Sequence, residues 1–327
     1  MVALVGPTAS GKSEIALEVA GRWPSGGRGV ELVSVDSMAV YRGMDLGTAK
    51  PSPQVRAQVP YHLVDLVDPS DEFTAQQFQA AARAALARIA ARGNAALLVG
   101  GTGLYLRSVV DDLSFPGRFP DEAARLSDRI DGAGPEGSPE QQTVLLDLHR
   151  RLEGLDPVAA ARIDPANRRR LVRALEVTLG SGRPFSGFGP GLEQYPSSPV
   201  TMVGIDREPD ELDHRIGERF VGLMDRGLLD EVSALAARPG GMSRTARQAL
   251  GYRELLAHLE EGLPLDRAVA LAVQRTRTFA RRQRAWFRRD PRIVWLDPSG
   301  DPAGTIVAIV GNGPGTVTGV GEWTSTR

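Results

Sequence analysis

Near the amino end, residues 2–13 (VALVGPTASGKS) hold the residue types that grip phosphate, at the spacing that lets them do it. Gly6-Pro7-Thr8-Ala9-Ser10-Gly11-Lys12-Ser13 fits G-x-x-x-x-G-K-[ST] without a mismatch. Gly6 and Gly11 allow the backbone to turn its N–H groups inward, and Lys12 can reach over the phosphates. The Ser13 hydroxyl is placed to hold Mg²⁺ beside them. The expected ligand is a di- or triphosphate.

Three further groups could act on what this loop holds. Asp36 closes an apolar run, residues 30–35, and has three readings: a general base on an acceptor, a Mg²⁺ ligand, or a cap on the turn that follows. Gly100-Gly101-Thr102-Gly103-Leu104-Tyr105 is a second glycine loop. Its N–H groups could hold another polar or anionic group, and tight strand-to-helix packing alone would also explain its glycines. Toward the other end Arg275, Arg277, Arg281, Arg282, Arg284, Arg288, Arg289 and Arg292 crowd together, with Phe279, Trp286 and Phe287 interleaved. On a helix Arg277, Arg281, Arg284 and Arg288 form one stripe, which can track a phosphate backbone, while aromatic and arginine planes can stack on unpaired bases. The other reading is a solvated helix face with Phe279 and Trp286 in the core. Arg168, Arg169, Arg170 and Arg173 make a smaller basic patch. His62, His149, His214 and His258 are scattered and no pair has ligand spacing on one helix, so a zinc site is not expected.

These groups need a scaffold, and the apolar patterning supplies one. Residues 2–5 read as a short buried strand and residues 14–20 as a helix, so the phosphate loop stands between the two. A breaker-rich loop is expected at 23–27, then a second strand at 30–35 and a long irregular loop at 37–51. A third short strand is expected at 61–67, an amphipathic helix at 73–92, and a fourth strand at 95–99 with a helix from Leu104. Strand and helix alternate, which predicts an α/β fold: a P-loop-type parallel sheet flanked by helices, with the functional loops at the carboxyl edge. After about Asp112 proline and glycine thicken and strands vanish in favour of helices at 122–130, 140–152 and 168–179. The expected organisation is therefore core over 1–114, a helical insertion over 115–199, core again over 200–298, and a mobile tail over 299–327. The second core part carries strands at 200–206 and 292–296, with helices between 211 and 289. No internal repeat is present.

A chain of 327 residues with 42% hydrophobic content can bury a real core, which excludes disorder throughout. Thirty-nine basic against 40 acidic side chains give a net charge of −1, so any affinity for nucleic acid must come from local patches. Cysteine is absent, which excludes disulfides and thiolate metal sites. No apolar run is long enough for a membrane span or a signal peptide, and a cytoplasmic location is expected.

Taken in order, GPTASGKS at 6–13, VDSMAVYRGMDLGTAKP at 35–51 and GGTGLYLRSVVDDL at 100–113 resemble the successive signatures of the tRNA dimethylallyltransferase (tRNA isopentenyltransferase) family. ALEVTLGSGRPFS at 174–186, GLLDEV at 227–232, ALGYRE at 249–254 and RTRTFARRQRAWFRRD at 275–290 resemble it in the same order. The resemblance runs from Val2 to about Asp297. The first motif is shared with many kinases, whereas the second and third together are specific.

The resemblance implies transfer of a dimethylallyl group from dimethylallyl diphosphate to the exocyclic N6 amine of the adenosine 3′-adjacent to the anticodon in tRNA, with release of diphosphate. The cradle of Gly6, Thr8, Ala9, Ser10, Gly11, Lys12 and Ser13 would then stabilise a departing diphosphate, with Lys12 and a Mg²⁺ held in part by Ser13 doing most of it. Asp36 matches the family's general base, and Arg219 stands where the family directs an arginine toward the diphosphate, against the reading of a solvated helix residue. Thr8, Ser10 and Thr102 are hydrogen-bond donors near the diphosphate and base, and Ser37 and Gly103 complete the substrate-binding set. The insertion is implied to clasp the anticodon stem-loop through Arg168 and Arg169, with Arg277, Arg281, Arg284 and Arg288 as the second tRNA-binding set. The target adenosine would be flipped into the cleft. A monomer without membrane association is expected. One departure stands out: the family commonly carries glutamine two residues before the tyrosine of the second motif, and here the residue is Ala39.

Three alternatives remain at this level: a P-loop kinase phosphorylating a small acceptor, a prenyl transferase acting on free adenine nucleotides, and a noncatalytic RNA-binding protein. A kinase leaves residues 115–199 and the arginine stripe without a role, as does a transferase acting on free nucleotides. Intact Lys12, Ser13 and Asp36 disfavour a purely structural loop.

Overall fold

The structure, a computed structural model, describes residues 1–23, 29–189 and 191–311. The elements in chain order are β1 (Val2–Val5), α1 (Lys12–Arg22), β2 (Val30–Val35), α2 (Pro53–Gln58), β3 (Tyr61–His62), α3 (Ala75–Ala91), β4 (Ala95–Gly100) and α4 (Gly103–Val110). Four helices follow: α5 (Pro120–Asp131), α6 (Pro139–Leu155), α7 (Pro157–Ala160) and α8 (Arg168–Ser181). Then come β5 (Thr201–Ile205), α9 (Pro209–Asp225), α10 (Leu228–Ala236), α11 (Tyr252–Glu261), α12 (Leu265–Arg288), β6 (Ile293–Leu296) and α13 (Pro302–Gly311). The chain divides into two units, one made of Met1–Asp112 with Tyr195–Arg327 and the other of Leu113–Gln194.

In the first unit six parallel strands lie in the order β3-β2-β4-β1-β5-β6. The strands are apolar almost throughout because both faces are covered. Ala3, Val5, Val33, Val35 and Leu98 point into one core, shared with Phe78, Leu106, Phe220, Leu255 and Phe287. Val2, Leu4, Val30, Leu32, Leu97 and Val99 point into the other, shared with Ile15, Val19, Ile306 and Ile309. That alternation is the period of two that a strand imposes. Register then places the site. Val5 and Val35 both pair with Gly100, and Val5 also pairs with Gly204, so these strands end on one level. Gly6, Asp36 and Gly101 therefore leave the sheet side by side.

The second unit is a helical cluster whose core is Leu126, Ile130, Leu148, Leu152, Leu171 and Leu175. Its prolines start helices rather than break them: Pro120, Pro139 and Pro157 begin α5, α6 and α7, where a missing N–H costs nothing. Ser138, Asp156 and Asn167 cap the amino ends of α6, α7 and α8. The unit runs from Leu113 to Gln194, against the expected 115–199.

Two expectations are corrected. The third strand does not continue to Val67: Leu63 and Asp65 adopt φ of 63° and 56°, and the chain turns to pair with the 37–50 loop through Asp65 N–H to Ala39 O and Leu66 N–H to Val40 O. Nor does a mobile tail begin at 299, because Pro302–Gly311 forms α13 and buries Ala303, Ile306 and Ile309 against α1. The loop expected at 23–27, apart from Trp23, and the tail beyond Gly311 lie outside the described residues. No helix among the described residues is long and apolar enough to cross a membrane.

Candidate active site

The phosphate loop leaves the carboxyl end of the central strand β1 and turns into α1. Gly6 has φ of 149°, and a Cβ there would come within 2.2 Å of Ile205 O, so no other residue lets the loop pass β5 so closely. Ala9 is held at φ of 63° and Gly11 at 96°, which bends the loop sharply into α1. From outside, Arg215 Nε donates to Ala9 O at 2.8 Å and Arg207 Nε to Ser10 O at 3.0 Å. Both arginines thereby fix the loop through its carbonyls.

Lys12 curls back over this loop: its Nζ donates to Pro7 O at 2.5 Å and to Ser10 Oγ at 3.3 Å. Burial pulls its ammonium down to about 8, opposed by the Asp36 carboxylate and reinforced by the charge of Arg219. Arg219, on α9, places Nη1 3.5 Å from Thr8 Oγ1, and burial holds its guanidinium below the usual arginine range while Asp36 works the other way. Asp36 thus lies within electrostatic reach of both cations. Ser13, in the first turn of α1, has no hydrogen-bonded partner for its hydroxyl among the described residues. Ser10 is fully buried, and its hydroxyl accepts from Lys12.

Of the three readings of Asp36, the geometry displays the cap on the turn. Its Oδ1 accepts from Met38 N–H at 2.7 Å and Ala39 N–H at 3.2 Å, capping the turn, while Oδ2 carries no hydrogen bond among the described residues. One oxygen orients the group, and the other is open to a proton or a metal ion. Beside it Thr102 Oγ1 accepts from Ser37 N–H at 3.1 Å and lies 3.5 Å from Ser37 Oγ. Gly103 opens α4 directly after Thr102. Ala39, where the family carries glutamine, is buried at 4% exposure and its carbonyl accepts from Asp65 N–H.

The arginine stripe is the largest departure. Arg277 donates to Asp213 O and Arg281 to Asp213 Oδ2 at 2.5 Å, while Arg284 and Arg288 both donate to Asp206 Oδ2, at 2.7 Å and 2.6 Å. All four face protein acids and carbonyls at the end of β5 and on α9, so the stripe clamps α12 to the core instead of standing free. Periodicity sees only one helix, and the acids that claim the stripe sit elsewhere in the chain. Arg282 on the same helix and Arg289 just past its end are exposed. In the helical unit Arg168 makes a bidentate pair with Asp131 at 2.6 and 2.8 Å, and Arg173 holds the carbonyls of Pro116 and Gly117. Arg169 and Arg170 are exposed.

Residues outside the expected set hold the loops in place. Glu231 accepts from the N–H groups of Asp45, Leu46 and Gly47, at 3.1, 2.8 and 3.4 Å, and from Tyr252 OH at 2.5 Å. It braces the long loop that begins at Asp36. Gln283, on α12, accepts from Thr8 N–H through Oε1 at 2.8 Å and donates from Nε2 to Gly101 O at 2.8 Å. A polar residue on the buried face of α12, with Ala280 and Phe287, is the signal that could have found it.

The IPP transferase family model matches residues 39–290. A tRNA dimethylallyltransferase of Desulforudis audaxviator is 43% identical over 314 residues, covering 95% of this chain and 97% of the relative. One from Kineococcus radiotolerans is 45% identical over 297 residues, 90% of each chain. Among solved structures, the full-length tRNA isopentenylpyrophosphate transferase of Bacillus halodurans is similar with a TM-score of 0.65 at 33% identity, over 95% of both chains. A eukaryotic dimethylallyltransferase caught acting on tRNA shares the fold, with a TM-score of 0.74 at 22% identity over 96% of this chain and 80% of that one. With its phosphate loop, its Asp36 and its second glycine loop on one sheet edge, this chain belongs to the IPP transferase family.

Proposed function

We propose that the protein transfers the dimethylallyl group of dimethylallyl diphosphate to the N6 amine of the adenosine 3′-adjacent to the anticodon in tRNA. The observation that carries this is Asp36: anchored through Oδ1, open at Oδ2, and set at the mouth of a loop whose two cations, Lys12 and Arg219, feel its charge. A base beside an anion cradle is what displacement of diphosphate by a weakly nucleophilic amine needs.

In the step itself the N6 lone pair forms a bond to the allylic carbon as the bond from that carbon to the diphosphate oxygen breaks. The N6 proton passes to Asp36 Oδ2, and the electrons of the broken bond leave on diphosphate. Lys12 exchanges its contacts with Pro7 O and Ser10 Oγ for the diphosphate oxygens, and Arg219 adds a second cation beside Thr8. Ser37 and Thr102, already joined, line the acceptor side next to Asp36. Ser13 fits a Mg²⁺ ion, since it offers a neutral hydroxyl oxygen that no hydrogen bond holds among the described residues. A Mg²⁺ ion held by Ser13 would neutralise charge on the leaving group. For tRNA, the exposed Arg169 and Arg170 of the helical unit, Arg282 on α12 and Arg289 just past its end are the phosphate-facing candidates, and the protein acts as a monomer in the cytoplasm.

The test incubates the protein with Mg²⁺, dimethylallyl diphosphate and unmodified tRNA, with ATP and small acceptors in parallel. Nucleoside mass spectrometry should find N6-dimethylallyladenosine in the first tube. Phosphoryl transfer in the second without prenylation in the first would return the site to the kinase class.

A further inference from the structure

Nothing in the motifs that mark the phosphate loop and the base extends to Gln283, yet its side chain touches both glycine loops. It is buried at 8% exposure and uses both ends of its amide: Oε1 takes the N–H of Thr8 in the phosphate loop, and Nε2 donates to Gly101 O in the second loop. The fit leaves no slack, for a Cβ on Gly101 would lie 2.4 Å from Gln283 Nε2. Three residues on, Trp286 lies against Gly103, where a Cβ would come within 2.0 Å of its Nε1. On their other side Arg284 and Arg288 hold Asp206, which follows the strand that Gly6 crosses. One stretch of helix α12 therefore grips the ends of β1, β4 and β5 together.

The two loops joined by Gln283 have different tasks under the proposed function. The first holds the leaving group, and the second carries Thr102, which is bonded to Ser37 beside the base. We propose that Gln283 is a positioning residue that fixes the separation between the diphosphate cradle and the acceptor side of the site. It touches no reacting atom and acts through Thr8 and Gly101. Because displacement requires the amine, the allylic carbon and the leaving oxygen in line, a small drift of one loop against the other costs rate without weakening the grip of either. The proposal rests on the prenyl-transfer reading.

Gln283→Met preserves volume and removes both bonds, and Gln283→Glu keeps the acceptor for Thr8 while setting a carboxylate oxygen against Gly101 O. Both variants of the full chain are assayed with dimethylallyl diphosphate, Mg²⁺ and a tRNA transcript. Binding of inorganic diphosphate is measured by calorimetry and binding of tRNA by gel shift. Expected is a fall in kcat of about 10- to 100-fold for Gln283→Met and more for Gln283→Glu, with both affinities within about threefold of the unaltered chain. A kcat within about threefold in both variants overturns the proposal. So does a loss of diphosphate affinity equal to the loss of kcat, which would make Gln283 a prop of one loop only. If the glutamate variant does not fold, the methionine variant decides alone. Failure of the unaltered chain to prenylate tRNA in the same assay overturns the proposed function instead, so the two failures are distinct.

Discussion

Glu31 at the amino edge of the sheet and the loops of Lys12 and Asp36 at the carboxyl edge treat charge in opposite ways. At the amino edge Glu31 is almost fully buried and completely partnered: Oε1 accepts from Arg92 Nε at 2.9 Å and Asn94 Nδ2 at 2.7 Å, while Oε2 accepts from Arg92 Nη2 and meets His62 Nε2, both at 2.6 Å. The Arg92 hydrogen bonds, helped by Asn94 and His62, hold its carboxyl down at about 2 against the effect of burial. At the carboxyl edge Lys12 spends its ammonium on a carbonyl and a hydroxyl, and Asp36 leaves one oxygen open. Neither forms an ion pair among the described residues. A charge that already has its counter-charge holds the fold together, whereas a charge held short of one keeps binding capacity for a ligand.

The comparison breaks most sharply at Asp36. Asp36→Asn keeps an oxygen to accept from Met38 and Ala39 but cannot take a proton, so the turn survives and the chemistry does not. Transfer should fall by about 10²- to 10⁴-fold, with thermal stability and diphosphate affinity nearly unchanged. Single-turnover rates with dimethylallyl diphosphate and tRNA measure this, and full activity would remove Asp36 from the mechanism.

At the other edge the effect should move from rate to stability. Glu31→Gln leaves Arg92 and His62 facing a weaker, neutral acceptor and should lower unfolding free energy at pH 7 by about 1–3 kcal/mol, with kcat and KM unchanged. The sign of its pH dependence follows from a native carboxyl held below its unfolded value. The Glu31 contribution is fully present above about 4.5 and is lost as pH falls toward about 2. Denaturant unfolding of both chains between pH 7 and 3 should show the gap closing; a constant gap would mean that shape, not charge, is what the variant loses.

What was legible in the chain was local, and what was not was long-range. The loops at Gly6, Asp36 and Gly100 could be found because each directly follows a strand whose apolar residues announce it. Their alignment on one level depends on register between strands, which no short window contains. Gln283 stands 182 positions from Gly101, inside a run of arginines that draws attention to charge. The same run misled in the other direction, because Asp213 and Asp206, which claim its stripe, lie 68 and 78 positions from Arg281 and Arg284. Helix α13 was missed although Ile306, Val307, Ile309 and Val310 are apolar, since a short run before a glycine-rich end offers no partner until α1 is seen beside it.

Lys12 gives the smallest effect and the one most specific to the comparison. Its ammonium, at about 8 in the free site, is charged below that pH and neutral above it, and a diphosphate bound beside it favours the charged form. Affinity for inorganic diphosphate should therefore hold below about pH 8 and weaken by about tenfold per unit well above it, with proton uptake on binding at pH 8 to 9. Calorimetry in two buffers of different ionisation enthalpy reads that proton directly. Stability rises with pH through this group as it does through Glu31, but here the shift is a cost to the fold and not a gain. A lysine held below its unfolded value of 10.5 binds fewer protons in the native state, so its cost to the fold is relieved as pH rises from about 8 toward 10.5. Lys12→Met should remove both the proton uptake and that rise in stability. Persistence of the uptake in the variant would assign the titration to another group and leave the carboxyl edge without the incompletely partnered lysine that sets it apart from the amino edge.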